Sequence, residues 1–311
     1  MKFSPDNNFV IVNYHYVEDP QSDFSGIHPC SVREFDRQIS FLAGQFSFVS
    51  VPELFTAAKR SEHKKLCAIT FDDGLKDQYD NAIPILHKHH AGATFFIITA
   101  TLQGYVPLAH KIHVIASLIS MNDLLEHFNV FLQKVFPSFI RYLIPKDCHL
   151  TYKRRHDDMI SANVKETLTI IPHAISDAFC VDVLGKLQID ERELAKKFFM
   201  NLQEIQILDH DGFFIESHTH NHYALDTIDS DILYDDFRAT QEAFKHIFNR
   251  PPNIIAYPYG RWPKTDNVVH EYGFTHAVTV EPRVVNADDH ALRIPRFDTR
   301  DIKIFLDTIA S

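Results

Sequence analysis

Apolar and polar positions along the chain change period several times, and the changes mark its elements. The run FVIVNY at residues 9–14 is continuous and rich in β-branched residues, the pattern of a buried strand. Ser31-Val32-Arg33-Glu34 places an N-cap serine three residues before a glutamate, a capping box that opens an amphipathic helix to about residue 42. A second strand follows at 46–49, and Ser50-Val51-Pro52-Glu53 starts a second helix to about residue 59. The apolar run LCAITF at 66–71 predicts a third strand, which ends abruptly in Asp72-Asp73-Gly74. A helix through His87 and a strand at 93–98 come next. Strands alternating with helices imply parallel pairing through crossover helices, hence an α/β sheet or barrel.

From about residue 101 to 200 this rhythm disappears. Helical patterns at 110–120, 121–135 and 191–208 dominate there. The alternation then resumes with strands at 213–216, 254–257 and 277–280 and helices at 231–248 and 301–309. Neither flank alone has enough strands to close a sheet. The expected organisation is therefore one catalytic domain spanning 1–311 with a helical insertion at 101–205. Phe128, Phe131, Phe136, Phe139 and Tyr142 suit a lid, an interface for a homo-oligomer, or the core of the insertion's own helices.

Composition narrows the function classes. A net charge of −10 argues against a nucleic-acid partner, because phosphate binding needs a cationic face. Four cysteines with no CxxC spacing support neither a disulfide framework nor a cysteine-ligated zinc ribbon. The apolar stretch at 93–102 is broken by threonines and falls far short of the roughly 20 residues that span a bilayer. Pro5 and Asp6 stand where a signal peptide needs an apolar core, so the expected location is cytoplasmic. Histidine is abundant, 20 in 311, and composition alone does not say why.

Three strand ends carry candidate chemistry, since parallel α/β folds place their sites at the C-terminal ends of strands. Asp72 and Asp73 repel each other unless a cation or proton separates them, although Asp-Asp-Gly is also ordinary turn chemistry. Ser217-His218-Thr219-His220-Asn221-His222 follows the strand at 213–216, and imidazoles four apart can reach one metal from a single turn. Two histidines and a carboxylate leave coordination positions open, as in catalytic zinc sites. After the strand at 254–257, Pro258 cannot donate to a ladder, so the turn Tyr257-Pro258-Tyr259-Gly260 turns its amides to the sheet's top edge, as an oxyanion hole requires.

Thr70-Phe71-Asp72-Asp73-Gly74, His218-Thr219-His220-Asn221-His222 and Tyr257-Pro258-Tyr259-Gly260, in that order, resemble the motifs of the polysaccharide deacetylases with the NodB homology domain (carbohydrate esterase family 4). The resemblance covers roughly residues 9–100 and 210–300 and leaves the insertion unexplained. It implies a distorted, incomplete (β/α)7-type barrel and a divalent metal, zinc first, with cobalt, nickel or manganese as the other candidates. It further implies Asp73, His218 and His222 as metal ligands, Asp72 as general base and the Tyr259 backbone N–H as an oxyanion donor.

The chain departs from the compact members of that family in two places. They carry an arginine before the third motif's Pro-Tyr that restrains the catalytic aspartate; none stands there in this sequence, and Arg296, ahead of Arg293, is the candidate replacement. They also carry a general-acid histidine in a late Leu-x-His motif, which is absent. Tyr14-His15-Tyr16 instead is similar to an element of the poly-N-acetylglucosamine deacetylase-like branch, which makes His15 the candidate acid. The implied activity is metal-dependent removal of acetyl groups from an N-acetylated sugar, glycan or glycan precursor. The alternatives are a deformylase or O-deacetylase on a small sugar and a non-catalytic glycan-binding module.

Overall fold

The structure, a computed structural model, describes residues 3–4, 8–21, 24–151, 154 and 157–310. In chain order its elements begin with β1 (Phe9–Tyr14), α1 (Val32–Gln45), β2 (Ser47–Phe48), α2 (Val51–Lys59), β3 (Leu66–Phe71), α3 (Ile83–Lys88) and β4 (Ala93–Ile97). Five helices follow: α4 (Leu108–Leu118), α5 (Met121–Val135), α6 (Met159–Ile170), α7 (His173–Lys186) and α8 (Glu191–Phe198). The last part holds α9 (Leu202–His210), β5 (Phe214–Ser217), α10 (Ser230–Phe248), β6 (Ile254–Ala256), α11 (Asn267–Glu271), β7 (His276–Val278), β8 (Phe297–Asp298) and α12 (Thr299–Ala310). The chain forms two compact units: Met1–Asp19, Pro29–Gln103 and Ala195–Ser311 make the first, and Pro20–His28 with Gly104–Leu194 the second.

The first unit is built on an all-parallel sheet in the order β7-β6-β5-β4-β3-β1-β8, with β2 beside the first residues of β3. Alternation along each strand divides its side chains between two faces. Val10, Val12, Ile69, Phe71, Phe95 and Ile97 pack with Phe35, Ile39 and Leu42 of α1. The opposite set, Ile11, Ala68, Phe96, Ala256 and Val278, converges from five strands into an interior together with apolar residues of α2. Closure is incomplete. A short segment spans the gap between the edges: Ile294 bridges Val278 of β7, and Phe297–Asp298 pair with Val12 and Asn13 of β1. This is the distorted, incomplete (β/α) barrel expected from the motifs.

The second unit has its own core, formed by Ile115 of α4, Leu124, Phe128 and Leu132 of α5, Val164 and Leu168 of α6 and Phe179 of α7. Phe131, Phe136, Phe139 and Tyr142 pack against that core, so the aromatic run serves the second unit's own helices. Lys111 is buried there, with its ammonium 2.5 Å from Asp177 Oδ1, 2.9 Å from Glu191 Oε1 and over the Tyr105 ring.

Several local expectations change. The strand at 46–49 is only two residues long, and the helix expected after Gly74 contains a π-type turn, Gln78–Ala82, near its start. The helical run at 191–208 is two helices, because Phe199 pairs with Leu75 and an Asn201/Glu204 capping box restarts the helix. The strand at 277–280 begins one residue earlier and ends at Val278, and β8 was not anticipated because two residues carry no periodicity. The helical segment read as 101–205 overlaps a second unit running 104–194, which also takes in Pro20–His28. Among the described residues, no helix is long and apolar enough to cross a membrane.

Candidate metal and acid–base site

The C-terminal ends of β1, β3, β5 and β6 bring the candidate residues together. Alternation puts Thr70 and Asp72 on the interior face of β3, and the strand register sets Asn13 of β1 directly opposite Thr70. Asn13 Nδ2 donates to Asp72 Oδ2 at 3.0 Å. Arg296, on the closing segment between β7 and β8, is 1% exposed and forks onto the same carboxylate, Nη1 to Oδ1 and Nη2 to Oδ2, both at 2.8 Å. It also donates to Asn13 Oδ1, Thr70 Oγ1 and the Thr279 carbonyl. Burial alone pushes the Asp72 carboxyl up, but the Arg296 guanidinium, then His218, outweigh it and hold the group at about 2. Arg293 goes elsewhere, to Asp266 at 2.7 Å and over the Trp262 ring.

Asp73 turns away from Asp72 because its backbone is left-handed, φ 76°, a region that aspartate tolerates better than most residues. Gly74 continues the turn at φ +70°, where an added Cβ would sit 3.1 Å from Ile97 Cγ2. Asp73 Oδ1 then lies 3.4 Å from His218 Nε2 and 3.5 Å from His222 Nε2. Among the described residues, these three form the one such cluster, with their ligand atoms all within 4.8 Å of one another.

The histidine turn is fixed from several sides. His218 Nδ1 is 2.8 Å from the Ala256 carbonyl, which can only accept, so Nδ1 carries a proton and Nε2 is the ring atom turned to Asp73. Burial lowers the His218 pKa, yet the Asp72 and Asp73 carboxylates raise it above the ordinary imidazole value. Thr219 and His222 both have left-handed φ, 69° and 59°. Thr219 Oγ1 accepts the His222 N–H, and the Asp236 carboxylate of α10 accepts the N–H groups of His220 and Asn221.

Two ligand atoms about 2.0–2.1 Å from a shared tetrahedral centre stand about 3.4 Å apart. The 3.4 and 3.5 Å separations match that spacing, so the donor set fits a divalent cation.

His15 Nε2 stands 3.8 Å from Asp72 Oδ2 with its side chain 38% exposed, within reach of a substrate. The buried Gln78 amide donates to the carbonyls of both His15 and Asp72, 3.0 and 2.7 Å away. Tyr259 follows β6 with left-handed φ 58° and packs its ring 4.7 Å from that of His222. Gly260 is needed beside it, since a Cβ there would come 2.4 Å from Val280 Cγ2. The structure thus gathers His15, Asp72, Asp73, His218, His222, Tyr259 and Arg296 at one end of the barrel. It adds Asn13, Gln78 and Asp236, which lie outside the motifs, and gives Thr70, the first residue of the aspartate motif, a bond to Arg296. Asn13 and Thr70 did leave a trace: they are polar residues inside apolar strands, on the face that Asp72 shares.

The sequence profile of the polysaccharide deacetylase family matches residues 59–119 and 157–277, more than half of the chain. The chain belongs to the polysaccharide deacetylase family. Over 106 residues it is 33% identical to the poly-beta-1,6-N-acetyl-D-glucosamine N-deacetylase of Staphylococcus epidermidis, a match covering 30% of this chain and only 37% of that relative. The deacetylase PplD of Streptococcus pyogenes, solved in complex with acetate, superposes with a TM-score of 0.60 at 18% identity over 98% of this chain and 99% of that one. IcaB from Ammonifex degensii gives 0.54 at 18% identity, over 94% and 91%. At these identities the structural likeness speaks for the fold.

Proposed function

We propose that the chain is a divalent-cation-dependent hydrolase that removes acetyl groups from N-acetylated sugars of a glycan or glycan precursor. The observation that carries this reading is the convergence of Asp73, His218 and His222 beside an Asp72 carboxylate forked by buried Arg296. The named activity of the S. epidermidis relative supports glucosamine-type sugars as the substrate class.

Asp73, His218 and His222 would hold the cation, zinc before cobalt, nickel or manganese. Such a cation supplies Lewis acidity, polarising the acetamide carbonyl and lowering the pKa of a water towards neutrality. Asp72 orients that water and takes its proton. Three of the roughly four acceptor sites of its carboxylate are used by Arg296 and Asn13, which leaves one for the water. The Tyr259 N–H stabilises the developing oxyanion; single donors of this kind contribute about 2.7–4 kcal/mol. His15 protonates the departing amine, which leaves poorly as an anion. The products are acetate and a free amino sugar.

One observation favours a second assignment of the base. A carboxyl held at about 2 is a weak proton acceptor near neutral pH, and His15 faces it at 3.8 Å. In that variant Asp72 only orients the water, and His15 both takes and returns the proton.

The test is metal analysis of the purified protein followed by acetate and formate release from N-acetylated, N-formylated and O-acetylated sugars. Acetate from the N-acetylated series only is the expected result; formate, or acetate from esters alone, moves the substrate to the sister chemistries. Bound glycan without turnover at any metal loading supports the binding-module reading. The pH profile of His15→Ala separates the two bases: in the first assignment the acidic limb survives, in the second it disappears.

A further inference from the structure

The first unit is interrupted where the chain leaves it after Gln103 and re-enters it at Ala195. Each of these two stems is hydrogen-bonded to a different half of the cation site. On the leaving stem, Thr99 and Ala100 donate backbone N–H groups to the carbonyls of Thr219 and His220, at 3.2 and 3.0 Å. Thr99 Oγ1 adds a side-chain bond to His220 Nδ1 at 2.8 Å. All three contacts fall inside the turn that carries His218 and His222.

On the returning stem, Phe199 forms an antiparallel bridge with Leu75, and the Met200 N–H donates to the Gly74 carbonyl at 3.0 Å. Glu204, which closes the capping box of α9, also pairs with Lys76. These contacts fall directly after Asp73.

The residues being held need holding. Asp73, Thr219 and His222 all sit in the left-handed region, where non-glycine residues stay only when their surroundings over-determine them. Nothing links the aspartate turn to the histidine turn along the chain, because more than a hundred residues separate them. Their relative position is set by packing and by these bonds.

We propose that Thr99 and the Lys76–Glu204 pair are positioning residues. Through the two stems of the insertion, they hold the histidine turn and the aspartate turn at cation-binding separation. The inference rests on the cation reading above and extends it to residues that touch neither cation nor substrate.

The test uses the full-length protein, wild type against Thr99→Val, Thr99→Ser and Glu204→Gln, titrated with Zn2+ against a chromophoric chelator. Direct partners of metal ligands are worth about 10–100-fold in affinity. Thr99 acts one residue removed, through His220, so Thr99→Val should weaken Zn2+ binding by the low end of that range, about tenfold at most, and Thr99→Ser should restore it. Glu204→Gln should weaken binding in the same direction. The metal-free melting temperatures of Thr99→Val and Thr99→Ser should agree, which a general packing defect at Thr99 would not allow. If Thr99→Val does not fold, Glu204→Gln carries the decision alone. Wild type that binds cation while Thr99→Val and Glu204→Gln match it overturns this inference only. Wild type that binds none overturns the cation reading and this inference together.

Discussion

The two units use buried polar groups in opposite ways. In the second unit the buried ammonium of Lys111 is met by two carboxylates and an aromatic ring, and buried polar side chains such as Asn163, Thr167 and Ser176 are neutral amides and hydroxyls set around an apolar cluster. At the barrel's open end, Asp72, Asp73, His218, His222 and Arg296 are all buried within one small region. Four non-glycine residues of these turns, Asp73, Thr219, His222 and Tyr259, also sit in the left-handed region. Burying charge is costly unless every member is paired, and left-handed backbone at non-glycine residues costs about 1–3 kcal/mol each. A fold stabilised for its own sake would not gather both costs at one strand edge. Unlike the Lys111 cluster, the barrel end also turns a carboxylate oxygen of Asp73 and two imidazoles towards one point, their ligand atoms within 4.8 Å of one another.

The comparison breaks first at His218. His218→Ala should abolish bound zinc and lower kcat/KM by about 10³-fold or more, since Lewis acidity is worth several kcal/mol. His127→Ala, on the exposed surface of α5, should leave both unchanged. Elemental analysis with an acetate-release assay reads both variants. Asp72→Asn should keep the metal and lose about 10²–10⁴-fold in turnover, the usual worth of a positioned proton acceptor. Full activity in that variant would remove Asp72 from the mechanism.

Lys111→Met tests the other side. It should cost about 2–3 kcal/mol in urea unfolding while leaving kcat and KM alone, because Asp177 and Glu191 are only partly buried and water relieves them. A fall in kcat at constant stability would show that the second unit does more than support itself.

The smallest effect is in acid. The Asp72 carboxyl lies at about 2 when folded against an ordinary value of 3.8. A depressed carboxyl stabilises the fold above its unfolded pKa, and that contribution disappears as pH falls through the folded value. Wild type should therefore lose about 2 kcal/mol between pH 4 and pH 2 that Asp72→Asn does not lose. Parallel acid profiles for the two proteins would contradict the buried fork.

Legibility differed by residue for physical reasons. Asp72, Asp73, His218 and His222 could be read because each follows an apolar strand, and a parallel sheet turns strand ends into a shared edge. His15 was legible only through the resemblance of Tyr14-His15-Tyr16 to an element of the poly-N-acetylglucosamine deacetylase-like branch. Arg296 carried no pattern: it lies on a two-residue strand's approach, and only its 2.8 Å fork onto Asp72 distinguishes it from Arg293. Asp236 lay inside an ordinary amphipathic helix, and nothing local marked it as the acceptor for the histidine turn.

The sequence by itself determined the parallel α/β alternation, the helical character of the interruption and the residue types available for chemistry. Those follow from periodicity, capping and strand-end position, all of which are local. Tertiary structure alone decided how the barrel closes, which arginine meets Asp72, and the 3.4–3.5 Å spacing that joins Asp73 to two histidines. Those are distances between turns far apart in the chain, set by strand register, core packing and the bonds of the two stems, and no local pattern encodes them.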